Sequence, residues 1–240
     1  MANAAGANAA GATLRILSGL AVRGAFEGGI VADYEAGSGN RVIVDWVPTT
    51  LIMTRVAAGD QADVLVLIKA SMDELVEQGK VDPATRVEVA HSRLGLAVAR
   101  GAPHPAIGTI EEFKAALLQA RSVAYSRAGA SGIHLEKVID RLGIADAVRS
   151  RATVIPAGFT AEKLVTGEAD LAVQQVSELL VVPGIEVVGK FPEEMQQVSS
   201  FSAAMMTGSP NRAAAEAFLA ALHGERARAA CLASGVDPAT

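Results

Sequence analysis

Cysteine is nearly absent from the 240 residues: Cys231 stands alone, so no intrachain disulfide can form. The four histidines, His91, His104, His134 and His223, make no zinc-like spacing with it, and the sequence therefore predicts neither a metal site nor a cofactor. Aromatic residues are only 4% of the chain, and there is no basic run: Lys+Arg number 21 against Asp+Glu 26, for a net charge of -5. A nucleic-acid surface needs a concentrated positive field, and this chain has none. No apolar stretch approaches the ~18 residues of a membrane span, so no membrane insertion is expected. Internal repeats are also lacking.

Half of the residues are hydrophobic, enough for one large domain or two small ones. The first twelve, rich in Ala, Gly and Asn, read as a disordered N-terminal arm. They lack the basic start and the Leu-rich core of a secretory signal. Two readings stay open: a cytoplasmic protein, or a periplasmic one whose leader has been removed.

Beyond that arm the pattern alternates. Strand-like runs (Thr13 to Leu17, Arg41 to Trp46, Asp63 to Ile68, Arg93 to Val98) are separated by helical ones (Ala21 to Glu35, Leu51 to Ala58, Ser71 to Gln78). This is the order of an α/β protein with mixed, mostly parallel sheets. After Gly101-Ala102-Pro103-His104-Pro105 it starts afresh: helix Ile110 to Ala120, strand Ser122 to Tyr125, helix Ser131 to Leu142 and strand Thr153 to Ile155. Later come a helix Ala161 to Thr166, strands Leu171 to Gln175 and Ile185 to Val188, and an extended run Gln197 to Met206. A C-terminal helix is expected with its cap at Ser209 and Pro210 in the first position. Ser71 with Glu74, and Thr109 with Glu112, fit the capping box.

Three turns carry hydroxyls where a strand gives way to a helix. They are Ser18-Gly19, Pro48-Thr49-Thr50-Leu51, and Ser126-Arg127-Ala128-Gly129-Ala130-Ser131-Gly132. A helix start offers unpaired N–H groups and the positive end of the dipole, so it holds an anion without a cationic side chain. Three such turns predict one shared site for a small anion. Gly19 would admit a ligand close to the backbone, and Ser126, Ser131 and Gly132 would contribute oxygen or N–H contacts. Arg127, in a loop of small residues, would clamp a carboxylate through its planar fork. Thr160, at the start of a further helix, and Gln175, at a strand end, are secondary contacts. Gln174 and Gln175 point to opposite sides if the strand is regular, and the sequence does not fix which faces the ligand. His134 is the one histidine near these turns and the candidate for proton transfer, whereas Glu178 reads as part of a helix face. The bland alternatives are a turn serine, threonine caps, a solvated loop arginine and a surface histidine.

The order Ser18-Gly19, Pro48-Thr49-Thr50-Leu51, Ala62-Asp63-Val64, Ser126 to Gly132 and Ala172-Val173-Gln174-Gln175-Val176-Ser177-Glu178-Leu179 resembles the molybdate-binding-protein-like group of bacterial periplasmic solute-binding proteins. The resemblance runs from Thr13 to the C-terminus. It implies a type 2 periplasmic-binding-protein fold: two α/β lobes joined by two crossover strands, with a ligand cleft between them. The lobes would be residues 13-92 plus 197-240, and residues 93-196. The serine-type ligands of the first lobe correspond to Ser18 and to Thr49 or Thr50. A tyrosine commonly follows the late strand in molybdate binders, and here Gln174-Gln175 stands instead, which favours an organic polycarboxylate. The resemblance implies an ABC-transporter receptor with a membrane permease as partner. The group also includes an aconitate isomerase, so isomerisation of an unsaturated polycarboxylate is the alternative.

Overall fold

The computed structural model describes residues 11–239. Strand β1 (Thr13–Ser18) leads into a helical stretch made of a 3-10 turn (Leu20–Val22), α1 (Arg23–Ala25), a π turn (Phe26–Ile30) and α2 (Val31–Ser38). β2 (Arg41–Trp46), α3 (Thr49–Ala57), β3 (Val64–Ile68), α4 (Lys69–Glu77) and the long β4 (Val87–Ala99) follow. Next come α5 (Ile110–Gln119), β5 (Val123–Ser126), α6 (Ala130–Arg141), α7 (Ala145–Arg149), β6 (Thr153–Ile155) and α8 (Glu162–Val165). The chain ends with β7 (Leu171–Gln175), α9 (Val176–Leu180), β8 (Ile185–Lys190), β9 (Val198–Met205), α10 (Arg212–Ala221), α11 (Glu225–Ala233) and β10 (Asp237–Pro238).

The strands form a mixed sheet in the order β2-β1-β3-β9-β4-β7-β5-β6, with β8 and β10 also on β4. Parallel pairs lie in the flanks, β2–β1–β3 and β6–β5–β7. Around β4 and β9 every pair is antiparallel. β4 changes partners along its length. Its residues Val87 to Arg93 pair with β9, and Leu94 onward with β7, whereas Gly95 to Ala99 also face β8.

β3 shows why the sequence folds this way. Its Val-Leu-Val-Leu-Ile run is apolar on both faces because it lies between β1 and β9 with cover on each side. Val64 and Val66 join a cluster with Leu14, Ile16, Phe26 and Phe218, while Leu65 and Leu67 join one with Leu17, Ile52 and Met72. The period of two along the strand feeds two cores at once. Phe218 meets Phe26 at 5.8 Å and Tyr34 at 5.2 Å between ring centroids, both edge to face. A separate cluster of Leu94, Leu96, Leu117, Leu135, Ile139 and Val173 packs around Phe113 and Phe191, 4.5 Å apart.

Several local expectations change. Residues 1–10 of the expected arm lie outside the described residues, and Ala12 is tied down, its N–H donating to Asn40 Oδ1 at 2.8 Å. The Thr109–Glu112 capping box is formed in both directions. The Ser71–Glu74 box is not, because α4 already begins at Lys69. α10 starts at Arg212 and not at Pro210. Ser209 serves Asp63 instead, donating to its Oδ1 at 2.6 Å. Asp63 is buried and also accepts from Arg15 N and Asn211 Nδ2, while Ser209 Oγ accepts from Asn211 N at 3.2 Å, so the serine ties the turn before α10 to Asp63. The expected helix Ala21 to Glu35 is broken at Gly29, whose φ of 152° a side chain rarely adopts.

Candidate functional site

The carboxyl ends of β1, β3, β5 and β7 and the turn after β2 converge on one cavity of about 30 Å³. This is where an open α/β sheet places a ligand, because helices begin there and point their N-termini inward. The walls come from Gly19 and Leu20, Pro48 and Thr49, Ile68, Ser126, Gly129 to Ser131, Gln174, Gln175 and Glu178, and Phe201. Thr49 opens α3, and Ala130 and Ser131 open α6, so two helices of 9 and 12 residues aim their first turns at the space. A roomier groove of about 560 Å³ beside Pro103, His104, Ala116 and Leu171 holds no comparable set of buried polar groups.

Each expected residue has a definite place. Ser18 is fully buried at the end of β1, its hydroxyl donating to Gly19 O at 3.1 Å. It lies behind the wall, not in it. Gly19 lines the cavity, but its N–H is occupied by Val66 O at 2.8 Å, so the residue contributes space, not a donor. A Cβ there would stand 3.3 Å from Phe201 Cε1 and 3.7 Å from Thr49 Oγ1. Thr49 lines the cavity as the first residue of α3, after Pro48 at the N-cap. Thr50 is exposed at the rim and donates to Ala128 O at 2.8 Å, linking the α3 turn to the α6 turn.

Ser126 and Ser131 are buried in the wall. Ser126 Oγ also accepts from Gly129 N at 3.2 Å and so shapes the turn. Gly132 is a packing residue: a Cβ would lie 1.8 Å from Ser126 O, so only glycine lets α6 start this close to β5. Thr160 is fully buried outside the wall, with its N–H and hydroxyl both bonded to Gln174 Oε1, at 2.8 and 3.0 Å. It positions Gln174 and does not face the cavity.

The two charged expectations fall elsewhere. Arg127 is exposed and does not line the cavity. Its charge is felt weakly by Tyr125, whose hydroxyl is held by Glu136. His134 is also outside the wall, with Nε2 2.8 Å from Met195 O. His134 stands nearly one turn further along α6 than Ser131, where it meets Met195 and not the ligand space.

Two residues that the sequence did not place in the site stand at its centre. Gln174 lines the cavity beside Gln175, because the chain leaves β7 there and bends into α9. Its amide is fixed by Thr160 on one side and Gly158 O on the other. Glu178, 8% exposed, is the sole ionisable side chain in the wall among the described residues. Burial pushes its carboxyl up to about 8, partly offset by the Gln175 N–H and the Gln174 amide. Gln175 is 3% exposed and donates from Nε2 to Ser199 Oγ at 2.8 Å.

The sheet order, with ligand space at the strand ends and helix N-termini around it, defines the class: a periplasmic-binding-protein fold. Residues 14–237 match the family described as bacterial extracellular solute-binding protein, and the chain belongs to that family. It is 34% identical over 232 residues to an aconitate isomerase from Pseudomonas sp, covering 94% of this chain and 88% of that protein. Among solved structures it is similar to the periplasmic molybdate-binding protein of Azotobacter vinelandii (TM-score 0.78, 18% identity, 95% of this chain and 100% of that one). It is also similar to the sulfate-binding protein SubI of Mycobacterium tuberculosis (TM-score 0.73, 17% identity, 95% and 87%). These two likenesses concern the fold alone. Among the described residues no helix is long and apolar enough to cross a membrane.

Proposed function

We propose that the protein captures a small organic polycarboxylate by closing two lobes, residues 13-92 with 197-240 and residues 93-196, around it. The observation that carries this reading is the convergence of the α3 and α6 first turns, with Thr49, Ser126 and Ser131, on a cavity whose wall, among the described residues, holds no cation. Such a wall holds carboxylate oxygens through oriented N–H and O–H groups. The space of about 30 Å³ is smaller than the ligand, so uptake requires the lobes to part. β4 and β9 would serve as the crossover strands, and the Thr50–Ala128 hydrogen bond would break on opening. In a transport role the closed form would be read by an ABC-type permease.

A second reading is favoured by Glu178. A carboxyl near 8 keeps its proton at neutral pH yet releases it readily, as a proton carrier in an isomerase must. Its ionised form would take a proton from a methylene next to a carboxylate, leaving an allylic carbanion. The carboxylates and the helix N-termini would stabilise that charge. Returning the proton to the other allylic carbon moves the double bond and gives the other isomer, with no oxidant or co-reactant. The sequence similarity to an aconitate isomerase supports the same chemistry. Glu178 takes the role that the sequence offered to His134.

The experiment is thermal shift together with proton NMR of each ligand, using cis-aconitate, trans-aconitate, citrate, molybdate and sulfate. Stabilisation by polycarboxylates with unchanged ligand spectra makes the protein a receptor. Conversion of one aconitate into the other, abolished by Glu178→Gln, makes it an isomerase. Stabilisation by molybdate or sulfate alone would refute the polycarboxylate reading.

A further inference from the structure

One hydrophobic cluster, containing Phe159, Ala161 and Leu179, is drawn almost wholly from residues 97–185. Among the described residues its one buried member from elsewhere is Leu20, a cavity residue, and Trp46 packs against it from the end of β2. Arg23, in the short α1, stands where these two sets meet. Its Nε donates to Glu27 Oε1 at 2.8 Å, which fixes one edge of the guanidinium and leaves its faces to the rings. The guanidinium carbon lies over Phe159 at 5.4 Å from the ring centroid and over Trp46 at 6.0 Å. Both distances are within reach of a cation–π attraction.

Phe159 is also the middle residue of a clamp on the cavity wall. Gly158 O accepts from Gln174 Nε2 at 2.9 Å, while Thr160 N and Oγ1 both donate to Gln174 Oε1. A shift of Phe159 therefore carries the Gln174 amide, a wall residue, with it. We propose that Arg23 is a positioning residue for the site: a latch that holds residues 158–160, and through them the Gln174 amide, against the α1 side of the cleft when the lobes are together. The latch rests on the two-lobe closure proposed above and not on which anion is bound. Arginine suits the role because its planar cation stacks on aromatic faces, whereas a neutral side chain of similar reach has no charge to offer the ring quadrupoles. Arg23 and Trp46 belong to one lobe and Phe159 to the other, so the Arg23–Phe159 contact exists only in the closed form. Removing the cation thus speeds opening and leaves the encounter of a ligand with the open cleft unaltered.

Trp46 is the only tryptophan of the chain and stands on this seam, so its fluorescence reports the latch. The test compares the unaltered protein with Arg23→Gln, Arg23→Lys and Phe159→Leu by acrylamide quenching of Trp46, radius of gyration from X-ray scattering, and stopped-flow binding of trans-aconitate. Arg23→Gln should raise quenching about twofold and enlarge the radius, and trans-aconitate should leave it about three- to tenfold faster with an unchanged association rate. Arg23→Lys, which keeps the charge but not the planar face, should fall between. Phe159→Leu should match Arg23→Gln, and combining the two should add little, because both remove the same contact. If trans-aconitate contracts the unaltered protein and Arg23→Gln behaves identically, the latch is overturned and lobe closure stands. Raised quenching at an unchanged radius would mean a seam that frays while the lobes stay fixed, and would overturn it too. So would Lys and Gln variants that depart equally, since the cation would then be irrelevant. Failure of trans-aconitate to bind, with quenching and radius responding as expected, would sink the polycarboxylate reading and leave the latch standing. A radius that neither variant nor ligand changes would sink lobe closure and the latch together.

Discussion

Replacing Glu178 with glutamine should make the protein less sensitive to alkali, and the size of the effect follows from the burial of one carboxyl. In the folded chain Glu178 holds its proton up to about 8, whereas a freely solvated carboxyl releases it near 4.5. Below pH 4.5 the group is protonated in both states and favours neither. Between 4.5 and about 8 only the folded state keeps the proton, so each rise in pH favours unfolding; above that both states are ionised and the slope disappears. At about 1.4 kcal/mol per pH unit the interval sums to a ceiling of ~5 kcal/mol, a large part of the ~5–15 kcal/mol that holds a domain folded. Relaxation around the ionised group lowers the observed value. Urea unfolding at a series of pH values from weakly acidic to weakly alkaline would measure it in both proteins. The neutral amide introduced by Glu178→Gln can accept the same Gln175 N–H, so the variant should lose little stability at low pH and progressively overtake the unaltered protein as pH rises. Parallel stability curves for the two proteins across this window would refute the claim that Glu178 is buried un-ionised.

Gly132→Ala forces a Cβ to 1.8 Å from Ser126 O, and α6 must move by more than an ångström relative to β5. Overpacking of this kind costs about 1–3 kcal/mol, read as a fall in melting temperature of roughly 2–12 °C. Gly19→Ala meets only the edge of Phe201 at 3.3 Å, so thermal stability should hold, while the methyl group narrows the cavity and calorimetric affinity for the ligand falls roughly tenfold. Asp60, held down to about 2 by Arg15 and then Arg55, contributes stability that is intact above about pH 4 and lost as pH falls through 2. Asp60→Asn should flatten acid unfolding monitored by circular dichroism in that range; an unchanged acid limb would show that the pair of arginines is screened by solvent.

The turns that carry hydroxyls were legible because their signals are local. A β-branched run, a Ser or Thr, and a helix start within a few residues suffice to place Ser126, Ser131 and Thr49 near one another at strand ends. Arg127 illustrates what a local reading overlooked. It stands just past the end of β5, in the bend before α6, where strand alternation no longer governs direction, and the side chain is exposed there. His134 was not resolvable locally, since its partner Met195 lies 61 residues away. Glu178 was the hardest to find. Glutamate is seldom buried, and its burial depends on a five-residue helix, α9, packed against β4, β7, β8 and the Leu20–Val22 turn. No periodicity over five residues announces such a fold-dependent position. The α/β class and mixed sheet were readable from the alternation, whereas the exchange of partners along β4 follows from contacts between distant strands.

The place of β9 between β3 and β4 governs how the chain comes off the ribosome. β3 is complete at Ile68, yet the strand that covers its open edge, Val198–Met205, emerges about 130 residues later. Throughout that interval the Val64–Ile68 segment, apolar on both faces, presents unpaired N–H and C=O groups to whatever is nearby. The nascent protein is thus a sticky half-sheet until nearly its last fifth has been made. Long-range closure of this kind slows folding, because the cost of ordering the intervening chain falls before the β3–β9 pairing is made.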